Sequence, residues 1–447
     1  MNIQRRSFLR YISLAAAGSA AGIGPFGALN AFAQSGSSDY KALVCIQLDG
    51  GNDGNNLIVP SDSAGYQNYA KLRGPLSLAQ GSLLPLNGLS YGLNGNLPGI
   101  QSLFNSGHAA VLANVGTLVA PTTRQQYLSG TAVTPHNLFS HIDQETLWQN
   151  SAQDVTGSTG WGGRIADLLQ GGNSPAQYPV VTSVTGSHIF CNGYNTSYAS
   201  VIPGNTGSVL CTEKSGCDTR LQAAQDLLTF NSGLTLVQAD DTLTQNAYSY
   251  SKVLQDAVSS AQPISTVFPT GPVTSLAAQL QQIAQIIQVR SALGTGRQIF
   301  FATQTGYDLH ADQVSLHPSL LQDMNAAISA FYQATVELGV SQQVTTFTTS
   351  DFGRALQPNS ATGSDHAWGG HHIIVGGAVK GGKLYGTYPT LALGGPDDAG
   401  VNGRWIPTTS VAQYAATLAS WFGVADANLN SVLPTLPNFE TRNLGFI

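Results

Sequence analysis

Short apolar runs, each stopped by glycine, aspartate or threonine and separated by segments of helical period, constrain this chain more than any other feature. Lys41 to Leu48 is a nearly continuous apolar run that stops abruptly at Asp49-Gly50-Gly51-Asn52-Asp53-Gly54. A run of this length, bounded by turn residues, reads as a buried strand. Similar runs recur at Ala109–Val115, Gln298–Thr303, Val344–Thr349 and His371–Val375. Between them, Leu276, Leu280, Ile283 and Ile287 share one face of a helix expected from about Thr274 to Leu293. Leu320, Leu321, Met324, Ile328 and Phe331 mark another helix, with Pro318 expected near its first turn, where a missing N–H costs nothing. A third carries Val411, Tyr414, Leu418, Trp421 and Phe422 and can be capped by Thr409 or Ser410. Strand and helix in alternation predict an α/β fold, with a central, mostly parallel sheet flanked by helices. The stretch from about residue 151 to 272 is different: turn residues crowd Gly186–Gly216 and a polar helical segment follows. It reads as a loop-rich insertion in a single domain covering residues 34–447.

Acids and bases make up only 9% of the 447 residues, against roughly 25% in an ordinary soluble domain. A net charge of -6 without clustered lysine or arginine argues against a nucleic-acid partner. The N-terminus reads as an export signal of residues 1–33. Arg5-Arg6-Ser7-Phe8-Leu9-Arg10 has the twin-arginine pattern, an Ala/Gly-rich run follows, and Ala31-Phe32-Ala33 forms a cleavage box. The expected partner is the twin-arginine export machinery, and the expected location is periplasmic or secreted. No later segment has 18 consecutive apolar residues, so no stable membrane span is expected after cleavage. Cys211 and Cys217 lie close to Cys191, which makes a disulfide within Cys191–Cys217 plausible in an oxidising compartment, while Cys45 sits in an apolar run and reads as a buried thiol.

In so charge-poor a chain, the gathering of Asp308, His310, Asp351, Asp365, His366, His371 and His372 points to a metal or catalytic site. In open α/β sheets ligands collect at the carboxyl ends of strands. Asp49, Asp308, His310 and Asp351 each follow a strand-like run, and Asp365-His366 sits in a Gly-rich loop able to reach the same edge. Converging carboxylates repel one another unless a cation neutralises them, and Asp oxygen mixed with His nitrogen suits zinc, manganese or iron better than calcium. Asp53 can ligate metal or build the Gly-rich turn. Arg354 can clamp an anionic substrate or pair with a loop carboxylate. His371 and His372 alternate sides if they open a strand, so at most one faces the site. Ser140, ahead of a helical pattern, is either a nucleophile placed at a helix N-terminus or a plain N-cap beside a packed His141. His108, His136, His188 and His317 have no comparable acidic neighbours and read as structural.

The motifs from Leu48-Asp49-Gly50-Gly51-Asn52-Asp53-Gly54 through Ser140-His141-Ile142, Gly160-Trp161-Gly162-Gly163-Arg164, Tyr307-Asp308-Leu309-His310, Ser350-Asp351-Phe352-Gly353-Arg354 and Asp365-His366-Ala367-Trp368-Gly369 resemble those of the domain-of-unknown-function 1501 family over nearly the whole chain. That family is similar in fold to the alkaline phosphatase and sulfatase superfamily. The resemblance implies a metal-dependent hydrolase of phosphate or sulfate esters acting on an anionic small-molecule or polymer substrate. It implies one or two divalent ions, zinc or manganese, with Asp49, Asp308, His310, Asp351 and His366 as ligands and Ser140 as nucleophile. The superfamily spaces its Asp and His by four and follows the later Asp with His. This chain has Asp308-Leu309-His310 and Asp351-Phe352, which leaves a second metal dependent on Asp53, His371 or His372. The alternative is a catalytically inactive, metal-stabilised binding or surface-assembly protein of the same fold.

Overall fold

The computed structural model describes residues 39–173, 178–204, 217–230 and 233–447. Lys41 to Ile447 forms one compact unit. The twin-arginine segment, its cleavage box and Cys211 lie outside the described residues, as does the side chain of Cys217. Cys191 is a free, buried thiol, so the expected disulfide does not run through it. Cys45 is also free and buried, and burial pushes its thiol up to about 12.

The strands in chain order are β1 (Lys41–Leu48), β2 (Ile58–Pro60), β3 (Leu84–Pro85), β4 (Tyr91–Leu93), β5 (Ala109–Gly116), β6 (Val181–Ser183), β7 (Ala199–Ser200), β8 (Arg297–Gln304), β9 (Val344–Ser350), β10 (Gly370–Gly376), β11 (Leu384–Gly386) and β12 (Thr409–Ser410). Strands β2, β4 and β3 make a small antiparallel sheet. The others form the central sheet in the order β11-β5-β10-β9-β1-β8-β6-β7, with β12 also paired to β5. Every pairing in that sheet is parallel except those of β10, which runs against β5 and β9. The fold is thus mixed α/β with a mostly parallel sheet. Strands β6 and β7 fall inside the stretch expected to be an insertion. That stretch supplies the sheet's edge as well as loops and helices.

Seven helices matter for the site and its surroundings: α1 (Ser63–Arg73), α2 (His141–Asn150), α3 (Trp161–Leu169), α4 (Thr235–Ser259), α5 (Leu276–Gln288), α6 (Gln313–Glu337) and α7 (Val411–Phe422). Leu43 and Cys45 of β1 join Phe301 and Phe347 in a core that Tyr414, Leu418 and Phe422 of α7 close. Alternate residues of a strand point to opposite faces, and Val44 and Ile46 are equally buried. Helix α5 packs on β8 and on α6. Helix α7 starts at a Ser410 capping box completed by Gln413, which satisfies N–H groups that the first turn would otherwise leave open. Helix α6 begins earlier than its apolar stripe suggested, so Pro318 lies inside it rather than in its first turn. The residue that Pro318 leaves without a partner N–H is Val314, four positions back and itself exposed, where water can satisfy the carbonyl. Among the described residues no helix is long and apolar enough to cross a membrane.

Candidate metal centre

Register is what brings the site together. Leu48 of β1 pairs with Gln304 of β8 on one side and Ser350 of β9 on the other. Three parallel strands therefore end level, and Asp49, the loop to Asp308 and Asp351 leave the sheet at one edge. Strand β10 runs the other way, so its beginning lies at that same edge, and the loop before it carries His366 in. A short bridge between Arg354 and His366 fixes that loop. Close backbone approach holds the pieces: a Cβ on Gly50, whose φ is +109°, would sit 2.5 Å from the Asp308 nitrogen, and one on Gly363 would sit 2.1 Å from the His310 carbonyl carbon. No larger residue fits either crossing without moving backbone.

Four donor atoms converge there. The Nε2 atom of His366 lies 3.1 Å from Nε2 of His141 and 2.8 Å from Nε2 of His310. Asp308 Oδ1 lies 3.4 Å from His141 Nε2, 3.1 Å from His310 Nε2 and 3.3 Å from His366 Nε2. His141, Asp308 and His366 present their ligand atoms within 4.8 Å of one another, a grouping that could hold a metal ion. Tetrahedral zinc with bonds of about 2.0–2.1 Å requires donors roughly 3.3 Å apart, and the separations among His141, Asp308 and His366, 3.1, 3.3 and 3.4 Å, match.

The other side of each imidazole is engaged in the way a ligand requires. His141 Nδ1 faces Asp351 Oδ2 at 2.7 Å, and His366 Nδ1 faces the Phe139 carbonyl oxygen at 2.7 Å. Both acceptors need a proton on Nδ1, which leaves Nε2 as the lone-pair donor. His310 Nδ1 faces Asp365 Oδ1 at 3.4 Å. Asp351, 1% exposed, also accepts from Gln47 Nε2 at 2.8 Å and from the Gly50 N–H at 3.1 Å. Phe352 lies against both rings, with centroids 4.8 Å from His141 and 4.5 Å from His366.

Charge balance fits cation binding in part. Burial raises the Asp308 carboxyl, but the hydrogen bond and charge of Arg354, with His141 and His310, outweigh it and hold the group at about 2. Burial lowers His366, against a weaker opposite pull from the Phe139 carbonyl. His141 is raised, first by its hydrogen bond to Asp351. That rise favours a second proton on the ring, in competition with a cation at Nε2.

Residues 40–402 match the family described as a protein of unknown function, DUF1501. The chain belongs to that family. No curated protein matches the DUF1501 chain. Among solved structures it is similar to the PsFucS1 sulfatase from Pseudoalteromonas sp. at 12% identity, with 89% of this chain and 70% of that one covered and a TM-score of 0.34. It is also similar to the lipoteichoic acid synthase LtaP from Listeria monocytogenes at 8% identity, with 88% and 77% covered and a TM-score of 0.35. A third is a protein in the alkaline phosphatase superfamily from Vibrio parahaemolyticus, at 11% identity, with 87% and 68% covered and a TM-score of 0.35.

The remaining expected site residues of this DUF1501 chain fall into distinct places. Arg354, 1% exposed, spends its guanidinium on the chain itself. Nε donates to the Gly51 carbonyl at 2.9 Å, Nη1 to that of Ser364 at 2.9 Å, and Nη2 to the Gly50 carbonyl and to Asp308 Oδ1, the last at 2.6 Å. Asp53 is buried in an ion pair with Arg73 and also accepts from Gln313 Nε2 at 2.5 Å. Ser140 caps α2 without a side-chain bond to the helix backbone, and the Asp143 carboxyl in the first turn is held below the usual carboxylate range, first by Asn137 and then by Ser140. His371 Nδ1 accepts from the Asn114 N–H at 3.0 Å and the ring stacks on Tyr388, while His372 packs on Trp148. Burial drives these two histidines down to about 4 and about 3.

Asp49 stands beside Asp351, and burial followed by that neighbour's charge raises it. Two residues of the neighbourhood escaped sequence reasoning: His141, taken for a packed ring, and Glu145 one turn further along α2. Residues four apart share a helix face, so His141-x-x-x-Glu145 in a charge-poor chain was a usable signal. Burial, then Asp49 and Asp351, push Glu145 up to about 7, and Gln149 Nε2 donates to it at 2.8 Å.

Proposed function

We propose that the protein is an exported metal-dependent hydrolase of phosphate or sulfate esters. The observation that carries the reading is the convergence of His141 Nε2, His366 Nε2 and Asp308 Oδ1 at separations of 3.1–3.4 Å, with His310 beside them. His141, His366 and Asp308 would hold one divalent cation, with zinc or manganese favoured by the mixed nitrogen and oxygen donor set. When bound, the cation would polarise a phosphoryl or sulfuryl oxygen and acidify a water or hydroxyl beside it. The chain's own residues have separable tasks. Asp351 and the Phe139 carbonyl keep protons on Nδ1 of His141 and His366, and Arg354 holds Asp308 in place. Glu145 retains a proton near neutral pH, the property a general acid or base requires. Asp308 and His310 are about half exposed, so an anionic ester could approach from solvent. The twin-arginine pattern supports export to the periplasm or beyond, with metal loaded before export.

A specific observation favours a second reading, a catalytically silent, metal-stabilised binding or surface-assembly protein. Arg354 is taken up by backbone carbonyls and Asp308, so it is not free for substrate. Metal analysis of the purified protein, paired with a screen of aryl phosphate and sulfate esters, separates the two. The hydrolase reading expects about one zinc or manganese per chain and turnover of an ester that falls at least about a hundredfold in Asp308→Ala, the scale of losing one preorganised charge. Metal without turnover of any ester selects the second reading. Absence of bound metal in wild type ends both.

A further inference from the structure

We infer that the cleft between the sheet's edge strand β7 and helix α4 is a binding site for a neutral carbohydrate. The cleft has a volume of about 920 Å³, within the range of roughly 300–1,000 Å³ typical of small-ligand sites. Among the described residues that line it none is acidic or basic, and four are tyrosines: Tyr178, Tyr194, Tyr198 and Tyr250. Asn195 and Asn246 line it as well. A pyranose ring has an apolar C–H face and a rim of hydroxyls. A tyrosine ring covers the first, and amides with phenol oxygens answer the second.

The wall is built to hold its shape. Asp167 of α3 accepts from the backbone N–H groups of Tyr194 at 2.6 Å, Asn195 at 3.0 Å and Thr196 at 2.8 Å, and from the Thr196 hydroxyl at 2.8 Å. A Cβ on Gly193 would stand 2.6 Å from Asp167 Oδ1, so the loop closes on that carboxylate only with glycine there. Three N–H groups on one carboxylate pin the loop, yet Tyr194 at its tip is 72% exposed. A large aromatic ring held out on a rigid loop gives a ligand a stacking surface with little ordering cost. Across the cleft, Tyr250 OH lies 3.2 Å from Ser197 Oγ, and its ring meets Tyr178 edge-on at 6.1 Å between centroids.

Other occupants fit less well. An anion would meet no cation in this lining. A purely apolar ligand would strip water from the Asn195 and Asn246 amides, neither of which hydrogen-bonds a described side chain, and offer nothing back. A peptide adding to the sheet edge would find in β7 a strand of only two residues, too short a ladder for strand addition.

The test is titration calorimetry of the full chain with a panel of neutral hexasaccharides, namely those of glucose in α-1,4 and β-1,4 linkage, xylose, mannose and N-acetylglucosamine. At least one is expected to bind saturably. Tyr194→Ala is expected to weaken it at least tenfold, Tyr194→Phe to stay within about threefold of wild type because the stacking ring remains, and removal of metal by a chelator to change nothing. Tyr194 is exposed, so its variants fold, and a thermal melt checks this. No binding across the panel overturns the proposal, as does binding indifferent to Tyr194→Ala, loss of binding on metal removal, or a preference for a peptide library over every sugar. Because metal removal is one arm, failure of the metal-dependent reading leaves this result readable.

Discussion

Two aspartates of this protein each hold an arginine, and they serve opposite ends. Asp53 and Arg73 are 2% and 0% exposed, enclosed by Asn55, Asn56 and Gln313 and by the Ala355 and Leu356 carbonyls. Asp308 and Arg354 share the same chemistry, but the carboxylate is 49% exposed and its oxygen also faces three imidazoles. In the first pair both carboxylate oxygens accept from groups inside the protein. In the second the arginine is buried and the aspartate is presented. An ion pair becomes a site when one partner is fixed and the other is left with unfilled capacity.

The largest expected effect tests the enclosed pair. Asp53→Ala strands a buried guanidinium and should cost about 3–5 kcal/mol of stability, read from denaturant unfolding of metal-free protein. Asp308→Ala should cost less there, about 1.5–3 kcal/mol, the scale of one charged hydrogen bond, since Arg354 keeps the Gly50, Gly51, Ser364 and Tyr307 carbonyls. Equal losses would erase the contrast. A smaller effect tests how the presented side is oriented. Asp351→Asn should weaken zinc binding by about 10–100-fold, as loss of a partner behind a histidine ligand does, measured by competition with a chelator; unchanged affinity would mean that Asp351 does not set His141.

The smallest effect is one of pH. Glu145 is raised from 4.5 to about 7, so the native state keeps a proton that the unfolded chain releases. Its stability contribution is therefore lost as pH rises across that window. In metal-free protein the melting temperature of Glu145→Gln should exceed that of wild type by a margin absent at pH 4.5 and greatest above pH 7. A margin independent of pH would show that folding does not shift Glu145.

The sheet was legible because its strands are short β-prone runs that end in turn residues; the apolar Lys41–Leu48 and the Thr-rich Val344–Ser350 need no tertiary information to be found. Asp308, His310 and His366 were legible because polar groups stood out in a chain so poor in charge. His141 was harder to find, because its partner Asp351 is 210 residues away and its one local sign, Glu145 four positions on, shows a shared helix face but not what that face meets. Asp53 and Asp308 could not be told apart, since the enclosure of one depends on Arg73 and Gln313, which only packing brings together. The edge strands β6 and β7 escaped because two or three residues give no periodicity to read.

The reversed strand β10 has one more consequence, for the order in which the molecule can be finished. His141 reaches the centre from a helix start, Asp308 and His310 from the end of β8, and His366 from the approach to β10. A chain made from its N-terminus cannot complete that set until the residues after His366 have entered the sheet between strands already in place. Contacts so distant in sequence form late. A cation held by His141, Asp308 and His366 together would then mark a sheet that has closed, and its capture would distinguish a finished molecule from an unfinished one.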